Sequence, residues 1–467
     1  MVSLMSKSRC NLPSFLDLVE RAITGPILTE DDFNMKVLIP NIRKVVREFG
    51  IHYEPETPVP ADDELADRLY EAAIELLVRT GVYCDDTNRL IRLEQEEILA
   101  AVEAVPEGSS FGQGRDRRLF RARKPEDTRS PWCHVGAGTV ASSEEIALAQ
   151  VEGYGSIPQA NSISIPAFGQ VRGMPVSGGS PLEIYATVAS VQAGRKALWK
   201  AGRPGLPILN LISSATTSMA TIAGSHPAFG LRPSDGWLID VIAEMKVNYE
   251  TLNRLAFILI TGGNVGSTAL PILGGYAGGA PGTALVMTAY YLLGMLLLKG
   301  TYHLTGPIHF RYGCSTTRDC LWVFSVVGRA TSRNTRYPAI GLGYAAAGPC
   351  TKIYFYEAAA VNLCCAPSGY AGVQTVHPAR AVVEDGITPL EAQFNVKMAY
   401  AATGMDAGRA SELVVQLLER YEQEIEQAPT GARYLACYDL TTGKPSEEYL
   451  RLYDEVIEEL VGLGIPL

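Results

Sequence analysis

From about Pro131 onward the chain repeats one pattern: a short β-rich run, a turn marked by Gly or Pro, and then a helical stretch. Such runs occupy residues 132–135, 162–166, 206–212, 257–261, 270–273, 303–309, 339–344 and 373–376. Strands alternating with helices build parallel sheets, because the helix carries the chain back to the start of the next strand. Eight such runs predict a closed TIM-type (β/α)8 barrel over residues 131–380 rather than an open sheet.

The flanks read differently. In residues 1–130 apolar side chains recur at helical spacing, as in Phe15, Leu16, Leu18 and Val19 and again in Leu69, Ala73, Ile74 and Leu77. Acidic residues stand where helix N-termini favour them, in Thr29-Glu-Asp-Asp32 and Ala61-Asp-Asp-Glu64. This region is expected to be helical and to pack on the barrel. Residues 381–467 return to helices at 390–405, 409–424 and 446–463, the last capped by Ser446.

With 47% hydrophobic and 19% charged residues, the chain can fill a large core and is too apolar for disorder. Its formal net charge of −10, with basic residues scattered along the chain, argues against a nucleic-acid partner. The nine cysteines include no CxxC pair, a usage that suits a reducing cytosol and implies a cytoplasmic protein. No secretory signal is expected. The uncharged segment 283–298 falls short of a bilayer span and reads as a buried helix after a buried strand, so no membrane is expected.

Two motifs invite a site. Gly274-Gly-Tyr-Ala-Gly-Gly279 is not the GxGxxG of a dinucleotide fold, and a cofactor cradle and a plain turn leaving a strand both account for it. In His303-Leu-Thr-Gly-Pro-Ile-His-Phe-Arg311, alternation places His303, Thr305, Pro307, His309 and Arg311 on one side, either facing the lumen or paired in the core. His303, His309, Cys314 and Cys320 fit no compact zinc spacing, so no metal site is expected, and Cys364-Cys365 reads as buried and inert. These residues give a fold and a lumen but no reaction.

Several segments together resemble the monomethylamine:corrinoid methyltransferase family. They are Ala201-Gly-Arg-Pro-Gly205, Pro271-Ile-Leu-Gly-Gly-Tyr-Ala-Gly-Gly279, His303 to Gly313, and Ala347-Gly-Pro-Cys-Thr351. Outside the barrel the likeness continues in Val78 to Thr87, Gly114-Arg-Asp116, Cys437-Tyr-Asp439 and Pro445-Ser-Glu-Glu-Tyr449. The resemblance implies a TIM-type barrel that binds a methylated amine in its lumen. A separate corrinoid protein would then carry the cobalt that takes the methyl group. This chain lacks the Asp-x-His-x-x-Gly pattern that ligates a corrinoid, since His303-Leu-Thr-Gly306 supplies only its second half. The cobalamin-type cofactor is therefore expected on the partner and not bound directly.

In that family a pyrrolysine follows the Ala-Gly-Arg-Pro-Gly segment and engages the amine, with two glutamates and a glutamine around its ring. The matching positions here are Leu209 for pyrrolysine, then Leu238 (beside Trp237), Thr268 and Leu342. All four groups are replaced, so the resemblance implies a pyrrolysine-independent member. A quaternary amine or sulfonium already carries the charge that lets its methyl group leave, and needs no such activator. Trp237, Tyr276 or Tyr312 offers a ring face to that cation, although each singly is better read as barrel packing. The expected substrate-binding set is Leu209, Leu238, Thr268, Tyr276, His309, Arg311 and Leu342, with no catalytic residue assigned. Arg311 has two readings, a hold on an anionic substrate end or a structural ion pair. A non-catalytic barrel that binds a corrinoid protein and zinc-assisted methyl transfer remain as alternatives. The resemblance also implies a homo-oligomer.

Overall fold

The computed structural model describes residues 12–210 and 216–467. Its centre is a seven-stranded parallel sheet of β1 (Trp132–Val135), β2 (Ser162–Ile163), β3 (Gly236–Asp240), β4 (Asn264–Ala269), β5 (Tyr302–Thr305), β6 (Ala339–Gly341) and β7 (Gly372–Gln374). In space the order is β3-β4-β5-β6-β7-β1-β2. The two edge strands are joined through the segment after Leu206, for Ile163 bridges Ile208 and Leu209 bridges Gly236, both in parallel sense. Three backbone bonds make the junction: Ile163 N to Pro207 O at 3.0 Å, Leu209 N to Ile163 O at 3.1 Å, and Gly236 N to Ile208 O at 3.0 Å.

Helices return the chain between strands and cover the outer face of the sheet. They are α1 (Glu144–Gly155), α2 (Pro181–Lys200), α3 (Tyr249–Thr261), α4 (Ala280–Leu296), α5 (Arg318–Asn334), α6 (Lys352–Cys365) and α7 (Pro389–Ala401). Both faces of the sheet are therefore covered, which is why its strands show little polar–apolar alternation. The uncharged segment is α4, roofed by the N-terminal helix Asp63–Thr80 and flanked by α5, so it is buried on every side. Among the described residues no helix is long and apolar enough to cross a membrane.

The structure corrects several expected elements. The run 257–261 is the last part of α3, because an apolar β-branched stretch long enough to sit on the sheet is equally served by a helix. The strand of that unit is β4, whose Asn-Val-Gly-Ser-Thr-Ala lacks the bulk of a typical strand. Small size is required there, since a Cβ on Gly266 would lie 2.3 Å from Tyr302 Cζ. β3 falls in a stretch read as no strand at all. Of 270–273 only Ile272–Leu273 is extended, paired in parallel with Ile308–His309 beyond a break at Gly306-Pro307. Leu211 and Ile212, at the end of the expected third strand, lie outside the described residues.

The N-terminal region is not purely helical. Val82–Cys84 pairs antiparallel with Arg89–Ile91 and parallel with Lys246–Val247, and Ser109–Phe111 forms a hairpin with Arg118–Phe120. The expected helix starts hold: Thr29, Asp62 and Ser446 each accept a backbone N–H as N-caps.

Candidate functional site

The inner face of the sheet divides into three levels. At its N-terminal end the hairpin inserts Phe111 and Phe120 against Trp132 and Tyr302, with ring centroids 6.0 Å apart for Phe111–Trp132, 5.4 Å for Phe111–Tyr302 and 4.8 Å for Phe120–Trp132. Edge-to-face and tilted packing of four buried rings makes this end a solid plug. Above it Leu209, Leu238, Leu304, Ile340 and Leu342 form an apolar belt in the same cluster.

The C-terminal level is polar. His134 is buried between two serines, its Nδ1 2.8 Å from Ser162 Oγ and its Nε2 3.0 Å from Ser164 Oγ. Ser162 also accepts from Trp132 Nε1 at 2.7 Å, and Ser164 from Gln374 Nε2 at 3.2 Å. Burial pushes the His134 imidazole down to about 3, with His377 acting in the same direction, so the ring is neutral and its hydroxyl neighbours turn to suit its tautomer. His377 is likewise pushed down to about 4 by burial, and its ring packs on Tyr344 at 4.8 Å. Gln374 Oε1, Thr268 Oγ1 and His377 Nδ1 are buried without a hydrogen-bond partner. Such groups cost about 1–3 kcal/mol each when left unmet, so this end of the sheet is built to receive something polar.

Asp240 closes β3 at the same level. Trp237, Ile239 and Val241 pack into the outer core while Leu238 belongs to the inner cluster, so the pleat turns Asp240 inward. It keeps accessible surface, and its register partner on β4 is Thr268. Burial raises its carboxyl to about 6, against the opposing pull of Arg254.

A separate cavity of about 770 Å³ opens at the rim, lined by Glu244, Ile272, Tyr276, His309 and Phe310. Glu244 Oε1 accepts the Ile272 N–H at 2.9 Å while Oε2 has no partner, and burial raises the carboxyl to about 7. Another hollow, about 690 Å³, lies between α1 and α7, away from the inner face.

The expected site residues thus fall in three places. Leu209, Leu238 and Leu342 share the inner belt, with Thr268 on the same face. Tyr276 and His309 line the rim cavity. Arg311 stands exposed and pairs with Glu426 at 2.7 Å, which is the structural ion pair among its two readings. Trp237, one of the ring faces considered for a cation, points outward and donates to Ser225 at 2.7 Å.

His303 and Thr305 do not face the interior. His303 Nδ1 lies 2.6 Å from Ser267 Oγ with Tyr291 and Tyr337 against its ring, and Thr305 donates to Ala269 O. These are paired core residues, because the pleat gives the inner face to Tyr302 and Leu304 instead. Gly274 to Gly279 is a turn: Gly274 N donates to Gly278 O at 2.7 Å and α4 begins directly after. Among the described residues no three His, Cys, Asp or Glu side chains gather as a metal-ligand set. Cys364 and Cys365 are buried in α6, and burial pushes their thiols well up.

Sequence reasoning missed Asp240, His134, Tyr344, Gln374 and His377. One signal was available: Asp240 stands two residues beyond Leu238, hence on the same face of any strand through both.

Comparison with known proteins bears on this arrangement. A family model described as monomethylamine methyltransferase MtmB matches residues 14–465. The chain is 29% identical over 456 residues to the monomethylamine methyltransferase MtmB of Methanosarcina mazei, covering 96% of this chain and 97% of that one. It is 28% identical over 456 residues to MtmB1 of Methanosarcina acetivorans, with the same coverage. The crystal structure of the Methanosarcina barkeri enzyme superposes with a TM-score of 0.94 at 26% identity, over 97% of this chain and 98% of that one. A crystal structure of a hydroxylamine complex of MtmB gives the same values.

Proposed function

Because the chain belongs to the monomethylamine methyltransferase family, and on that ground is a methyltransferase, we propose that it moves a methyl group without pyrrolysine. The donor would be a methylated small molecule other than monomethylamine, and the acceptor a Co(I) corrinoid held by a partner protein. One observation carries this reading. Leu209, which we place at the pyrrolysine position, is buried with Leu238 and Leu342 in one apolar belt, and none of the three can bond or polarise an amine.

A neutral amine is a poor leaving group. A quaternary ammonium or a sulfonium departs with the bonding electron pair and becomes neutral as the acceptor's own pair forms the new bond to carbon. An apolar enclosure favours that discharge of positive charge, so the belt serves the reaction by excluding water. The polar level above the belt supplies orientation. His303, the histidine of the partial corrinoid-ligating pattern, is held in the outer core by Ser267, which supports placing the cobalt on a partner.

In this reading the segment 206–209 is the eighth strand and closes the barrel, residues 1–130 and 381–467 pack around it, and a homo-oligomer forms through the terminal helices. The test is methyl transfer to Co(I) corrinoid protein from a panel of quaternary ammonium, sulfonium and neutral methyl donors, followed by the visible spectrum of the corrinoid. Methylation above the no-enzyme control from at least one donor is expected. A chain that binds the corrinoid protein yet methylates it from no donor is a binding subunit only.

A further inference from the structure

We infer that Asp240, Thr268 and Tyr344 form a binding site for the positively charged end of an organic cation, at the C-terminal edge of the apolar belt. The inference rests on the proposed function and narrows its donor to the cationic class.

Three observations meet at this point. The first is orientation: Asp240 shares the inner face with Leu238, one pleat further along β3, and stands in register with Thr268, whose hydroxyl has no partner. The second is charge. Among the described residues the Asp240 carboxyl enters no hydrogen bond and no ion pair, and Arg254 acts on it only from a distance. His134 and His377 on the same level are neutral, so neither ring answers this carboxylate. The third is the wall opposite, where Tyr344 packs against the inner cluster with its ring on His377 and feels the Asp240 charge.

A buried carboxylate without a partner is costly, and the cost falls when a cation is placed against it. A cation with no N–H cannot satisfy hydrogen bonds, but it can lie between a carboxylate and a ring face with its methyl groups on leucine. Asp240, Tyr344 and the belt offer those three surfaces. The carboxylate lost at Leu238 is in effect restored one pleat higher, where it meets charge rather than an amine proton.

The probe is choline, titrated calorimetrically into the full chain. Its neutral counterpart is 3,3-dimethyl-1-butanol, in which carbon replaces the quaternary nitrogen. Choline is expected to bind at least tenfold more tightly than the alcohol, and to weaken as the pH falls through about 6 while the alcohol does not. Asp240→Asn should abolish both the preference and the pH dependence, and Asp240→Glu should restore part of each. Equal affinity for the two probes, failure of choline to bind, or choline affinity that ignores pH in the native chain overturns the assignment, and none of these outcomes needs a variant. Charge-dependent choline binding without methyl transfer from any donor would count against the proposed function and leave this site standing. Methyl transfer from a neutral donor alone, with no preference for choline, would do the reverse.

Discussion

Arg203 donates its Nε–H to Asp116 Oδ1 at 2.5 Å, with both side chains largely buried. The bond joins the Gly114-Arg-Asp and Ala-Gly-Arg-Pro-Gly segments, which are far apart in sequence. Asp116 Oδ2 also accepts the Gly205 N–H at 3.2 Å, while Arg203 donates onward to Ala160 O at 3.0 Å. Removing one partner of such a pair strands the other charge. Asp116→Asn is expected to cost about 3 kcal/mol, read as a lower urea midpoint. Gly205→Ala should be at least as harmful, since its Cβ would lie 2.1 Å from Gln113 O. Unchanged midpoints for both would remove this clasp from the account of stability.

The aromatic plug gives a second expectation. Phe111 is fully buried against Trp132, Tyr302 and Phe120, and Phe111→Ala leaves a void that the rigid sheet cannot collapse to fill. A loss of about 4 kcal/mol is expected, with Phe111→Leu costing clearly less. Equal losses for the two variants would show that volume is not what the ring supplies.

Stability should peak on the acid side of neutrality. Burial raises Glu244 and Glu357 to about 7 and Glu391 to about 8, so their contribution is complete below the ordinary carboxylate range and is lost as the pH rises through 7 and 8. His134 and His303 are pushed down to about 3 and His377 to about 4, so theirs is complete above the ordinary histidine value of about 6.5 and is lost as the pH falls toward 4. Between 6.5 and 8 the carboxyl effect leads, and Lys299, lowered by burial to about 8, opposes it only at the top of that window. The thermal midpoint should therefore be lower at pH 8 than at pH 6.5, and a level profile there would contradict these buried carboxyls.

Monomethylamine should not be a substrate. On the proposed function, Leu209, Leu238 and Leu342, which share one apolar cluster, take three of the four amine-binding positions and present only hydrocarbon there. With Co(I) corrinoid protein supplied, methylation from monomethylamine should equal the no-enzyme control. Turnover above it would mean that another residue activates the amine.

Most of the strand–helix rhythm is legible in the sequence, and the places where it is not share a cause. β4 hides because Gly266 and Ser267 are small to admit Tyr302 and α4, and strand propensity does not register residues chosen for close approach. β3 hides because Trp237 and Leu238 are buried on opposite faces, which erases the alternation that marks a half-exposed strand. The site fared similarly. Leu209, Leu238 and Leu342 pack on one face with Thr268, whereas His309 and Tyr276 go to the rim because the chain turns at Gly306-Pro307 and Gly274. Asp240 went unnoticed because an aspartate closing an apolar run reads as a turn residue until the strand's inner face is known.

The plug under the inner face makes the interior a chamber with one door. On the proposed function, with the donor's charged end held at Asp240, donor, acceptor and spent product would all use the C-terminal opening, since Phe111 and Phe120 stop the other end. Traffic must then run in a fixed order: the donor is seated first, the corrinoid protein docks over it, and the demethylated product waits until the corrinoid protein leaves. Too much corrinoid protein would keep the door shut, so turnover should rise and then fall as its concentration increases.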